Sequence, residues 1–287
     1  MLSFPPSAGL RGACIAMEAR KKIPSNSKGR RRIWLAFLLL FAVMVAGSVG
    51  AYFLADLGRL QDMMAAREGQ AALKGITDAS QIGEALKRTP SNKFLRVVAM
   101  ATKAADDADT ALEKLSDDVE PAAIAKAGPP GTASRNDLEA LRRDLKTAET
   151  NALALIPRTS AVLKAERDSV ENYAASLQMG KDARNRVLDQ LDKRDVEITA
   201  LAQRMSSVRA DFYRAYQNYI GLLIGEFGAY KFTDGQFIFP LQRTADRYNV
   251  AAKAMTSATK PVAELDQERR TLLQSQRARW LQFVRGE

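Results

Sequence analysis

The chain has 287 residues, 46% hydrophobic and 26% charged, which is the composition of a globular protein rather than a disordered one, and its formal net charge is +10. It contains no histidine, and its single cysteine is Cys14. Histidine-based triads, histidine-liganded metals, four-cysteine zinc sites and disulfides within the body of the chain are therefore excluded.

The charge is unevenly placed. Residues 1–32 carry eight Lys or Arg against Glu18, while residues 56–287 carry 35 basic and 32 acidic groups. A nearly balanced body lacks the electrostatic footprint of a phosphate-binding surface, so no nucleic-acid partner is expected. No cofactor motif is present. Residues 1–32 read as a basic cytoplasmic tail, with Met17 as an alternative start.

Residues 33–55, Ile33 to Ala55, form an uncharged apolar run of 23 residues. At 1.5 Å per residue such a helix crosses a hydrocarbon core of about 30 Å. Trp34 and Tyr52 lie near its ends, where aromatic rings favour the interface. Arg20, Lys21, Lys22, Lys28, Arg30, Arg31 and Arg32 precede it, and Asp56 follows. The positive-inside bias places the N-terminus in the cytoplasm and the rest outside, as a single-pass protein. Cleavage after Val49-Gly50-Ala51 is the alternative reading. The charged C-terminal stretch, through Arg279, Trp280 and Arg285, argues against a second span. About thirty cytoplasmic residues are too few for a signalling domain. The body has no cysteine and no Asn-x-Ser/Thr acceptor, which favours a bacterial inner membrane with a periplasmic domain.

Residues 56–120 read as juxtamembrane helices: one from Asp56 to about Lys74, one from Asp78 to Arg88, and a third capped by Ser91 or Asn92 after Pro90. The apolar positions of the third include Phe94, Leu95, Val98, Ala101, Ala105, Ala108, Leu112 and Leu115. Residues 121–135 hold three prolines and two glycines and read as a linker without regular helix.

Residues 136–287 read as a helical bundle. A helix from Asn136 is ended or kinked by Pro157, another runs from about Thr159 to Met179, and Gly180 breaks it. The longest element is expected from Asp182 to Tyr230. Its seam alternates steps of four and three: Val187, Leu191, Arg194, Ile198, Leu201, Met205, Val208, Phe212, Ala215, Tyr219, Leu222. This is a heptad pattern with one polar entry, Arg194, and predicts packing along the whole helix, preferentially within the chain. Two further helices are expected, Leu241–Ala258 and Val262–Arg285, the first with a buried stripe of Leu241, Ala245, Tyr248, Ala252 and Met255.

Between them, residues 230–240 break the helical pattern. Asp234-Gly235 between alternating apolar residues is a strong signal for a two-residue hairpin. In that register Phe232 faces Phe237 and Tyr230 faces Phe239, so the four rings share one side of the ribbon. They form either a candidate interaction surface or, preferentially, a face hidden against the helices, since an isolated two-stranded ribbon is marginal.

The stretch Phe232-x-x-Gly235-x-Phe237-x-Phe239-Pro240, with Ala245-x-x-Tyr248-Asn249, resembles the C-terminal region of the YiaF-type family. The resemblance covers about twenty residues and implies a mostly helical, membrane-anchored proteobacterial envelope protein of unassigned chemistry. Some members are lipoproteins; this chain lacks a lipobox and departs from them there.

The expected fold is therefore all-α: one transmembrane helix, then an exported bundle with one long heptad-patterned helix and one short β-hairpin. The expected role is a membrane-anchored periplasmic interaction or scaffold module, with an envelope protein partner or self-association. The alternative is a ligand-binding or sensory module acting through a separate cytoplasmic partner. Catalysis is not expected. Glu120, Glu226 and Asp234 are candidate acids, but no pair has a spacing that defines a site, and most carboxylates lie among Lys and Arg on solvated faces.

Overall fold

The structure is a computed structural model that describes residues 60–287. The basic tail and the apolar run 33–55 lie outside the described residues. Among the described residues no helix is long and apolar enough to cross a membrane.

Three long rods organise the chain. The first is built from α5 (Arg135–Leu153) and α6 (Leu155–Ser176), which follow one another with only Ala154 between them. The second is α7 (Lys181–Gly225), 45 residues, or about 67 Å at 1.5 Å per residue. The third is α8 (Gln242–Arg285). The cross-links fix their directions. Arg167 pairs with Asp192, Arg194 with Glu166, and Arg214 with Glu149, so α7 runs antiparallel to α5–α6. Arg204 pairs with Glu268 and Glu197 with Arg279, so α8 runs antiparallel to α7.

The preceding elements are α1 (residues 60–73), α2 (Gln81–Arg88), α3 (Lys93–Asp117) and α4 (Ala122–Lys126). Asn92 caps α3 by accepting from the Leu95 amide at 3.0 Å. Its amide nitrogen donates to Ala65 O at 2.9 Å, so one buried side chain also ties α1 to the start of α3. A Cβ on Gly69 would come within 2.7 Å of the Phe94 ring. The absence of that carbon lets α1 approach α3 closely. The α5 N-terminus carries a capping box, with Ser134 and Asp137 each bonding the other's backbone amide.

The core is segmented along α7. One apolar cluster joins α1, α2, the first half of α3 and the ends of α6 and α8 around Val187, Leu188 and Leu191. A second joins α5, the end of α7 and the start of α8 around Tyr213, Ile220 and Leu223. A small third cluster of Leu201, Met205 and Leu265 lies between them in sequence along α7. Within this chain α7 packs against α5, α6 and α8.

Several elements differ from expectation. Residues 121–135 contain the single helical turn of α4. Asn151 donates to the carbonyls of Asp118 and Val119, which tethers the start of this stretch to α5. Pro157 opens a helix instead of ending one. It is the third residue of α6, where the missing N–H would have had no intrahelical partner. After α6 the positive φ falls on Gln178, and Gly180 instead provides clearance for Asp62 of α1.

The long helix stops at Gly225, not Tyr230, and its seam rotates. Beyond Met205 the buried positions are Ser206, Ala210, Tyr213, Tyr219, Ile220 and Leu223, while Val208, Phe212, Ala215 and Leu222 are half-buried. An ideal straight helix drifts by about 20° per heptad from a strict seven-residue repeat, so a face drawn over five heptads turns away from its starting line.

The two C-terminal helices are one, with Pro261 inside α8. Contacts to α7 on the C-terminal side of the proline hold the helix in line. Leu265 packs on Leu201 and Met205, Asp266 receives Arg209, and Glu268 receives Arg204. Leu241, assigned to a buried stripe, is the N-cap of α8 and 65% exposed; Tyr248, Ala252 and Met255 pack partly buried against the second cluster.

A proline in a helix interior costs up to about 3 kcal/mol relative to alanine. Pro261→Ala should therefore raise the melting temperature, with a gain of roughly 1–3 kcal/mol in chemical denaturation. An unchanged or lower melting point would mean that α8 is broken at this position.

Candidate functional site

The most unusual chemistry lies where the heptad seam of α7 is interrupted. Arg194 is nearly buried, its side chain 12% exposed, and is held by carboxylates from two other helices. Its Nη1 lies 2.6 Å from Glu166 Oε2 on α6 and its Nη2 lies 2.5 Å from Asp109 Oδ1 on α3. The Glu166 side chain is 1% exposed, and burial raises its affinity for a proton against the pull of Arg194. Removing one member of such a pair strands a charge and typically costs about 3–5 kcal/mol.

Asp195, the next residue, stands 3.8 Å from Arg194 Nη1, and its Oδ1 is buried without a hydrogen-bond partner among the described residues. Burial, followed by the negative charge of Glu166, pushes its carboxyl up to about 7. One arginine thus faces three carboxylates, and the least well partnered of them keeps its proton near neutrality. The neighbouring Asp106 is also raised, mainly by burial.

This belt forms part of a cleft of about 960 Å³. The α3 wall presents Asp106, Asp109, Glu113 and Asp117; the α8 wall presents Arg269, Arg270, Arg277 and Arg279; α7 supplies the floor with Leu191, Arg194 and Glu197. Two bridges connect the walls. Trp280 Nε1 donates to Thr102 Oγ1 at 3.0 Å. Arg209 donates to Ser116 O at 2.9 Å and to Asp266 Oδ1 at 2.8 Å. Between them the only ion pair from wall to wall among the described residues is Arg277 with Asp109, at 3.9 Å. Sequence reasoning missed this cleft. The available signal was Arg194, the one charge on the seam, which predicts buried counter-charges without saying which helices provide them.

The hairpin residues come together in the expected register. β1 (Lys231–Thr233) pairs antiparallel with β2 (Gln236–Ile238), with Phe232 opposite Phe237. Asp234 and Gly235 both have positive φ, 51° and 79°, as a type I′ turn demands. Phe237 and Phe239 contact the Tyr248 ring of α8 at centroid distances of 5.2 and 5.1 Å, and Tyr230 contacts both phenylalanines. Phe232 meets the Phe237 ring at a tilt, with centroids 4.9 Å apart, and lies so close to Gly131 that a Cβ there would collide with its ring. The four rings are half-buried, whereas Ile238 on the opposite side is 55% exposed. The hairpin thus clasps residues 121–135 and α8 together, with Phe237 and Phe239 meeting Tyr248.

The candidate acids do not converge. Glu120 accepts from the Tyr213 hydroxyl at 3.0 Å, and burial together with this carboxylate raises the phenol. Glu226 is the C-cap of α7, and Asp234 lies in the hairpin turn.

No family model, curated protein or solved structure matches this chain.

Two outcomes follow. Phe237→Ala should lower stability by about 2–3 kcal/mol, less than the 3–5 typical of a fully buried phenylalanine because the ring is half-exposed. Near-wild-type melting would show that the rings do not contribute to the core. For Asp195 the sign follows from proton binding. Between its ordinary value of 3.8 and about 7, the folded protein holds a proton that the unfolded chain has released. Stability therefore falls as pH rises through this window and levels off above it. Asp195→Asn should flatten the slope and stabilise the protein at pH 8 by roughly 2–4 kcal/mol. An unchanged pH profile would refute the buried, protonated carboxyl.

Proposed function

We propose that the chain is a membrane-anchored helical interaction or scaffold module of the bacterial envelope, its bundle in the periplasm. The observation that carries this reading is the sparsely buried third rod. Of the 44 residues of α8 only Thr244, Leu265, Gln276 and Val284 are buried, so most of a long helix remains available to a partner. Its N-terminal half borders an apolar groove against α7, formed by Ala215, Leu222, Val250, Ala251 and Ala254, with Val250 71% exposed. Arg243, Arg247 and Asp246 rim the groove, a pattern that suits an amphipathic helix with charges of both signs at its edges. The basic cluster before the uncharged run 33–55 supports the anchor and its orientation. The resemblance of Phe232 to Asn249 to the YiaF-type family supports the envelope assignment.

A second reading, a periplasmic ligand-binding or sensory module, is favoured by the polar cleft between α3 and α8, whose volume lies in the range of small-molecule sites.

The test is in-cell photo-crosslinking from Val250 of the full-length protein. The expected result is a discrete adduct with one envelope protein or with a second copy, lost when Val250 is flanked by Ala251→Glu and Ala254→Glu. Absence of any adduct from Val250, alongside normal folding, would overturn the scaffold reading. A C-terminal alkaline phosphatase fusion that stays inactive would overturn the periplasmic placement.

A further inference from the structure

The helix α1 has two apolar faces, and the bundle covers only one of them. Ala66 and Leu73 are buried in the first cluster, Gly69 lies against the Phe94 ring, and the Ala65 carbonyl accepts from Asn92. On the other side Leu60, Met63 and Met64 are 50%, 48% and 69% exposed. With about 3.6 residues per turn, Leu60, Met63, Met64, Arg67 and Ala71 fall on one stripe, and all five are exposed. Among the described residues nine large apolar side chains are exposed, and only these three share a helix face. Such a patch in water is a liability unless something covers it.

The charges of α1 are sorted in the same way. Asp62 is directed at Gly180, where a Cβ would collide with its carboxylate, and Glu68 accepts from the Asn92 amide at 3.4 Å. The remaining charge, Arg67, is exposed on the apolar stripe. Both acids thus turn toward the protein, and the cation accompanies the uncovered apolar side chains. A helix at a lipid interface has this pattern: its apolar face enters the boundary between headgroups and acyl chains by about 5–10 Å, and its Lys or Arg side chains reach outward to phosphate. The length of the connection brings such a surface within reach. The uncharged run ends at Ala55, five residues before Leu60. Five residues extend by at most about 17 Å, so a bilayer that holds the run has its surface close to Leu60.

We infer that the outer face of α1 is a membrane contact: the helix lies along the surface of a phospholipid bilayer, with Leu60, Met63 and Met64 at the boundary of the acyl chains and Arg67 at the phosphates. This rests on the anchor proposed above for residues 33–55. Methionine suits the place, since its unbranched side chain adapts to an irregular apolar surface. The contact has a consequence for the bundle. Asn92 and the close approach at Gly69 tie α1 to α3, so a helix held flat on the lipid holds the first cluster with it. The bundle is then attached at two places, the span and α1, and does not swivel freely about the connection between them.

The experiment uses the full-length protein, with Cys14→Ser, in vesicles of phosphatidylethanolamine and phosphatidylglycerol. Leu60→Cys, Met64→Cys, Ala71→Cys, Val250→Cys and Met44→Cys are made one at a time and labelled with a fluorophore. Quenching by a nitroxide carried near the headgroup end of the acyl chain is compared with quenching by iodide in the water. The four bundle positions are exposed, so melting curves should remain those of the wild type. Labels at Leu60, Met64 and Ala71 should lose more fluorescence to the lipid nitroxide than to iodide, and by similar amounts. Val250, beside the second cluster, should show the reverse. Met44, in the middle of the uncharged run, reads the anchor itself and should be shielded from iodide. Shielding at Met44 with iodide quenching at all three α1 sites would overturn the inference and leave the anchor standing. A steady loss of lipid quenching from Leu60 to Ala71 would also overturn it, since an upright helix climbs about 16 Å between them. Lipid quenching at Val250 as strong as at Met64 would show that the label itself seeks lipid, and would overturn it too. Free access of iodide to Met44 would overturn the anchor, and the inference with it.

Discussion

The register of the bundle depends on the burial of Arg194. A guanidinium this far from water needs opposite charge at bonding distance, and it finds Glu166 on α6 and Asp109 on α3. Apolar burial is non-directional, so a helix that slides along another can re-form part of its apolar contact. A buried ion pair cannot, since a shift of one turn strands a carboxylate that is 1% exposed. Three helices are therefore indexed to one point, and α8 joins them through Gln276, which donates to the Arg194 carbonyl.

This belt also divides the core. The first apolar cluster lies toward the N-terminal end of α7, and the second toward its C-terminal end. A second cation, Arg209, is likewise 12% exposed and spans from Ser116 O to Asp266. The alternation of apolar and ionic segments along a 45-residue helix limits how far any one cluster extends. The cleft lies between α3 and α8, whose described links to each other are the Trp280 bond to Thr102 and the Arg277 pair with Asp109.

At the other end the hairpin performs the equivalent task with aromatic packing. A two-stranded ribbon has little stability alone and must use its apolar face against something larger. Here that face meets Tyr248 of α8 on one side and Gly131 on the other. The Pro/Gly-rich stretch is thus part of the fold, its glycine required by the ring of Phe232. Buried phenols of Tyr213 and Tyr219 extend the aromatic array into α7, with burial holding both in the neutral form.

Local chemistry was legible in the sequence wherever a residue acts on its near neighbours. Asn92 as a cap, Asp234-Gly235 as a turn with positive φ, and the pairing of Phe232 with Phe237 follow from backbone sterics and pleat geometry, which need no distant partner. The helical class and the existence of a long packed α7 follow from periodicity in the same way. What only the tertiary structure decided are the features set by contacts between distant segments. Pro261 does not break α8 because Leu265, Asp266 and Glu268 are held by residues of α7 about sixty positions earlier. Arg194 announced a buried charge, but its partners lie 28 and 85 positions away, and no spacing rule connects them. The cleft, with Arg269 and Gln276 on one wall and carboxylates on the other, arises from how far apart two helices rest on a third. Sequence periodicity specifies which face of a helix packs, but the distance between helices depends on the side chains that meet, and those are chosen by the fold.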